Sequence, residues 1–219
     1  MAAIGKYFKR KLNCKHIQIL NPGDNPKKYD VLVCPEHDKI TGTNVISTKG
    51  SLHNISYKSL NKIKENPEKL ICLILGNPAN GFFKELNHLS DLINQYFSDH
   101  DLVICGSRRT PEKHHQTIRS IFSNAKAIWL SNVDGENPYQ NLLANSDIII
   151  VTADSINMLS EACTTTNNVI AVAQKYISPK HKRFIDSIDK RLSKFDDLNE
   201  NNEPLDTLNE VTQRIIRMI

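Results

Sequence analysis

Apolar residues fall into two regimes along this 219-residue chain. The first part carries three short extended runs, at 16–20, 29–34 and 44–48, each bounded by Pro, Gly, Asn or Asp. A polar helical stretch at 56–65 follows. The pattern then changes to alternating strands and helices: strands at 70–75, 101–105, 127–130, 147–152 and 169–173, helices at 82–97, 110–122, 137–145 and 155–165. Such alternation predicts a parallel sheet with crossover helices. Ile148-Ile149-Ile150-Val151 is apolar at every position, which suits a central strand buried on both faces. Two helices close the chain. One starts with Ser178 as N-cap and Pro179 at its first position, with Phe184, Ile188 and Leu192 on one stripe. The other, at 205–219, repeats Leu208, Val211, Ile215 and Met218 after an acidic linker at 196–203. The fold class is therefore α/β: a Rossmann-like parallel-sheet domain at 65–178, a smaller N-terminal α/β part at 1–64, and C-terminal helices at 179–219 packing back on both.

Charge narrows the partners. A net charge of +4 comes from basic residues scattered among nearly as many acids, which argues against nucleic acid. The start is a local exception: Lys6, Lys9, Arg10, Lys11 and Lys15 surround Tyr7 and Phe8. This segment reads as a solvated basic end or as a stretch that rests on a peripheral, anionic membrane surface. Five cysteines (Cys14, Cys34, Cys72, Cys105, Cys163) lack C-x-x-C spacing and mostly sit in apolar runs, so core thiols in a reducing, cytoplasmic compartment are expected. No stretch approaches the roughly 18 apolar residues of a membrane span, and no signal-peptide pattern opens the chain.

In an open parallel sheet, ligands sit at the carboxyl ends of strands, so the turns after strands hold the candidate chemistry. The most distinctive is 152–163, Thr-Ala-Asp-Ser-Ile-Asn-Met-Leu-Ser-Glu-Ala-Cys. On a helix, Ile156, Leu159, Ala162 and Cys163 share one side, and Asp154, Asn157 and Glu161 the other. Ser155 opens this helix where free amides suit a diphosphate, and Glu161 follows about 9 Å along the axis, the span to a ribose diol. A carboxylate accepts two hydrogen bonds from such a diol. The plainer reading makes Asp154 a cap and Glu161 a solvated side chain. A second turn, Ser107-Arg108-Arg109-Thr110-Pro111, places two guanidiniums at a strand end, with Thr110 as the expected N-cap. In a third, Glu136-Asn137-Pro138-Tyr139, Glu136 or Tyr139 could touch a base or sugar, or Asn137 simply caps a Pro-started helix. A fourth, 76–81, has glycines that admit close approach of a ligand, or forms an ordinary turn.

Several familiar chemistries are poorly supported. No G-x-G-x-x-G follows a strand, which argues against nicotinamide dehydrogenases and epimerases. Phe82 and Phe83 stand where a P-loop needs Lys and Ser or Thr, and no G-x-S-x-G elbow occurs. Glu36-His37-Asp38 lacks a spaced partner for metal, so no metal site is expected. His37 with Asp38 reads either as a general-base pair at a strand end or as a turn in which Asp38 bonds its own backbone.

Taken in order, 29–38, Gly42 to Val45, Thr48 to His53, Ser107 to Thr110, Gly135 to Tyr139 and Val151 to Cys163 resemble the mitochondrial-fission ELM (elongated mitochondria) family, and Arg183-Phe184 and Asp186-Ser187 extend the match. The resemblance implies a GT-B glycosyltransferase-like fold in which 65–178 is of the C-terminal, nucleotide-sugar-binding type. It implies no cofactor, with a nucleotide-diphosphate sugar as ligand. Ser155 and Glu161 would hold diphosphate and ribose, Arg108 or Arg109 would assist, and His37 and Asp38 would face the donor in an inverting, metal-independent transfer. The family's N-terminal half begins with a glycine-rich turn that this chain lacks, so 1–64 is expected to be the last part of that domain. A non-catalytic adaptor acting through protein or membrane contacts is the competing expectation. The family's Gly-Lys-Pro after the Glu161 helix is replaced by Thr166-Asn167-Asn168, so a left-handed Asn is expected to cap that helix.

Overall fold

A computed structural model describes residues 2–61, 69–79 and 81–219. In chain order the elements are α1 (Ala2–Leu12), β1 (Ile17–Ile19), β2 (Val31–Pro35), β3 (Val45–Thr48), α2 (Tyr57–Asn61), β4 (Leu70–Ile74), α3 (Leu86–Phe97), β5 (Asp101–Cys105) and α4 (His115–Ile121). They continue with β6 (Ala127–Trp129), α5 (Tyr139–Asn145), β7 (Ile148–Thr152), α6 (Ile156–Ala162), β8 (Asn168–Val172), α7 (Pro179–Ser187) and α8 (Thr207–Met218). Residues 62–65 of the helix expected at 56–65, and Asn80 in the turn at 76–81, lie outside the described residues.

These elements form two compact units, one of residues up to Asn54 with Asp206–Ile219, the other Ile55–Leu205. The division falls earlier than the expected 64/65, and the two C-terminal helices part company: α7 belongs to the second unit and α8 to the first. The reason is where each helix finds apolar cover. Phe184 and Ile185 of α7 are buried with the strands of the larger sheet, whereas Val211 of α8 is buried with Val31, Val33 and Ile46 of the smaller one.

In the first unit, β1, β2 and β3 are parallel in that order, with Val31 opposite Ile17 and Leu32 opposite Val45. The strand alternation is plain in β2: Val31 and Val33 face α8, while Leu32 and Cys34 join Tyr29 on the other side. α1 forms where only a basic end is expected.

The second unit is a five-stranded parallel sheet of order β6-β5-β4-β7-β8. Ile148 to Thr152 are buried at every position, as expected for a strand covered on both faces. Cys72, Ile74, Ile149 and Val151 look toward α5, α6 and α7. Ile71, Leu73, Ile148 and Ile150 look toward α3 and α4. The chain winds outward from β4 through β5 to β6, then returns to β4's other side as β7. The order thus reverses between β4 and β7, and their carboxyl ends flank the crevice where such sheets bind ligands.

The cysteines follow their burial. Cys34, Cys72, Cys105 and Cys163 are buried and Cys14 is exposed. Burial pushes the Cys34 and Cys163 thiols up to about 11 and Cys105 up to about 12. Only Cys14 is therefore expected to react with iodoacetamide in the native protein, whereas all five react in denaturant. Intact-mass spectrometry reads the difference, and a second fast adduct without denaturant would contradict it.

Candidate functional site

The site begins with the turn after β4, which is tied on two sides. The Gly76 amide donates to Thr152 Oγ1 at the end of β7 (2.7 Å), and the Asn77 amide donates to Asp154 Oδ2 (3.0 Å). From the other side, Thr110 Oγ1 donates to the Leu75 carbonyl (2.7 Å) and accepts from the Ser107 amide (2.8 Å). Thr110 therefore does not cap α4. Its hydroxyl is used between strands, and a 3-10 turn at Glu112–His114 leads into the helix instead. The ends of β4, β5 and β7 are thus linked by side-chain bonds at the reversal of strand order.

Asp154 is more structural than its place on the wheel implies. Its side chain is 10% exposed, and Oδ2 lies 3.1 Å from Nη2 of Arg109 while accepting the Asn77 amide. A Cβ on Gly76 would fall 2.5 Å from that oxygen, so glycine is what lets the carboxylate approach the turn. Arg109 is half-exposed and held over the β7 end, whereas Arg108 is exposed and forms no ion pair among the described residues.

Ser155, not Asp154, caps α6. Its backbone is extended, and its Oγ accepts from the Met158 amide. The amides of Ile156 and Asn157, which a helix leaves without internal partners, donate to no described residue. Little more than one turn of helix further on, Glu161 Oε2 accepts a 2.5 Å hydrogen bond from the Tyr139 hydroxyl. Burial, and secondarily the neighbouring Glu161 carboxylate, pushes the Tyr139 phenol well above its usual range, so it remains a donor. Asn137 accepts from the Tyr139 amide (3.0 Å), setting the start of α5.

The end of α6 corrects the expected left-handed Asn. Cys163 is right-handed helical, and the positive-φ residues other than glycine are Asn13, Leu20, Lys39 and Ala173. Hydroxyls replace the glycine-type cap: Thr164 Oγ1 donates to the Ser160 carbonyl and Thr165 Oγ1 to that of Ala162.

Together these groups enclose a pocket of about 710 Å³ within the second unit. Ser107, Arg108, Arg109, Asn137, Tyr139, Asp154, Ser155 and Glu161 all line it, as do Ile156 and Asn157. Glu136 does not: it is exposed on the turn before α5. His37 and Asp38 belong to the first unit, in the 3-10 turn after β2, with His37 Nε2 3.9 Å from Asp38 Oδ1. Lys180 and His181 also line the pocket, and sequence reasoning passes over them. The signal was the Ser178-Pro179 start itself, since a capped N-terminus fixes the direction of the next two side chains. Ser178 Oγ does lie 2.7 Å from His181 Nδ1.

The fold and pocket define a Rossmann-like α/β protein with a crevice at its reversal of strand order. A family model described as Mitochondrial fission ELM1 matches residues 2–219. The chain belongs to that family. It is 27% identical to the Mitochondrial fission protein ELM1 of Arabidopsis thaliana, over 92% of this chain and 57% of that protein. It is 30% identical to protein RP120 of Rickettsia prowazekii (strain Madrid E), over 85% of this chain and 66% of that one. The chain thus spans less than two thirds of the length of either relative. Among solved structures, a protein from Listeria monocytogenes assigned as a UDP-N-acetylglucosamine 2-epimerase matches with a TM-score of 0.51 at 10% identity, over 83% of this chain and 56% of that one. At such identity the likeness concerns the fold alone. No helix among the described residues is long and apolar enough to cross a membrane.

Proposed function

We propose that the second unit binds a nucleotide-diphosphate sugar in the pocket between Arg108 and Glu161. The observation that carries this reading is the division of labour along one wall. Free first-turn amides of α6 and the Arg108 and Arg109 guanidiniums supply donors for a diphosphate. Glu161, oriented by the Tyr139 hydroxyl, supplies a fixed acceptor about 9 Å further along the helix axis for a ribose diol. The volume falls within the range of small-molecule sites.

Both carboxylates of the pocket are already engaged, Asp154 with Arg109 and the Asn77 amide, Glu161 with Tyr139. Neither is poised as a general base. Their engagement favours, as a second reading, a donor-binding adaptor that does not turn its ligand over. Transfer of sugar in a product assay would replace this with the transferase reading.

Calorimetric titration with UDP- and GDP-sugars tests the proposal. One donor is expected to release heat, and Glu161→Ala to weaken it about 10–100-fold, the worth of a hydrogen bond to a charged group. Equal heats for wild type and variant, or none for either, would end it.

A further inference from the structure

α1 is built inside out. A surface helix ordinarily turns its apolar stripe to the core and its charges to water. Here the half-buried positions are Ala2, Gly5, Lys6 and Lys9. Ala2 joins the Tyr29–Leu32–Cys34 cluster. Gly5 lies against the His16 ring so closely that a Cβ would sit 2.4 Å from Nε2. Lys6 pairs with Asp24, and Lys9 pairs with Asp30 at 2.8 Å. The large apolar side chains face away from the unit: Ile4 is 59% exposed, Tyr7 53%, Phe8 46% and Leu12 63%. On a helical wheel they span an arc of about 140°, and none of the described residues covers it.

The charge around this stripe selects its occupant. α1 contains no acidic residue. Arg10 lies beside the apolar arc, Lys11 falls within it between Tyr7 and Ile4, Lys15 follows the helix, and all three are exposed. Lys11 Nζ lies 5.6 Å from the centre of the Tyr7 ring, its flexible stem able to carry the charge from the apolar surface to a headgroup. A second copy docking face to face would bring like charges together. An anionic bilayer surface offers acyl chains to the aromatic and aliphatic side chains and phosphates to the cations.

We infer that α1 lies in the headgroup region of an anionic membrane, with Ile4, Tyr7, Phe8 and Leu12 inserted and Arg10, Lys11 and Lys15 on lipid phosphates. This surface belongs to the first unit and does not depend on the donor pocket. Flotation of the full chain with phosphatidylglycerol-rich vesicles is the test, with pure phosphatidylcholine as the neutral arm. The chain is expected to float with the anionic vesicles alone and to be released as salt rises. Tyr7→Ser with Phe8→Ser should lower the bound fraction at least about tenfold, and Arg10→Glu with Lys11→Glu about thirtyfold or more. Both pairs are exposed, so the circular dichroism spectrum and melting temperature should match wild type. Equal binding to neutral vesicles, binding that survives the serine pair, or a dimer dispersed by that pair with no flotation would each overturn the assignment.

Discussion

Gly76→Ala is expected to abolish measurable donor binding and to cost about 2–4 kcal/mol of stability, which is large for one methyl group. The added Cβ would meet Asp154 Oδ2 at 2.5 Å, Oδ1 at 2.6 Å and Cγ at 2.9 Å, distances that real Cβ contacts do not show. The carboxylate is short and nearly buried, so it must leave its place. Leaving strands the Asn77 amide and releases Arg109, whose direction over the end of β7 is set by that ion pair. The Gly76 amide, bonded to Thr152, limits how far the turn can retreat. A double-mutant cycle with Asp154→Ala separates this account from a general dislike of alanine in the turn. With the carboxylate removed, Gly76→Ala should cost under about 1 kcal/mol, leaving a coupling of roughly 2 kcal/mol between the two positions. Urea denaturation of the four proteins measures it, and additive costs would show that the close approach is not what glycine is for.

The parts of the site differ in how far the chain itself reveals them. The sheet was legible because its strands are driven by local apolar runs: Asp101–Cys105 forms over the expected residues, and Ile148 to Val151 is buried on both faces as a continuous apolar run requires. The starts of α6 and α7 were legible because Ser155 and Ser178 cap them with their own side chains. Asp154 was not, since its role depends on Gly76 and Arg109, which are distant in sequence and meet it only when β4, β5 and β7 align. The Tyr139–Glu161 bond likewise joins two helices. Nor does composition reveal that Thr110 is spent between strands instead of on a cap. α1 is the opposite case. Its apolar spacing is visible in Ile4, Tyr7, Phe8 and Leu12, but periodicity reports only that a face exists and leaves open whether a core receives it.

Arg191→Met should be the most destabilising of these changes away from the pocket, lowering stability by roughly 3 kcal/mol and the melting temperature by roughly 6–12 °C for a protein of this size. Arg191 follows α7, and its Nη2 donates to the carbonyls of Thr165 (2.6 Å) and Asn167 (3.0 Å), while Nη1 donates to Asn202 Oδ1 (2.9 Å). These bonds fasten the segment between α6 and β8 to the chain that runs toward the first unit's last helix. The same segment lacks a glycine cap: threonine hydroxyls bond the carbonyls of Ser160 and Ala162 at the end of α6, and the guanidinium bonds those of Thr165 and Asn167 just beyond it. Burial pulls the guanidinium below its usual value, a cost that the three acceptors offset. Methionine keeps the length and apolar stem but donates nothing, and lysine keeps the charge yet cannot reach three acceptors in one plane. Arg191→Lys should accordingly recover less than half of the loss. Because α6 carries both Ser155 and Glu161, the methionine variant should also bind the donor more weakly well below its melting temperature. A variant that melts early but titrates like wild type at low temperature would confine Arg191 to the stability of this segment and detach it from the pocket.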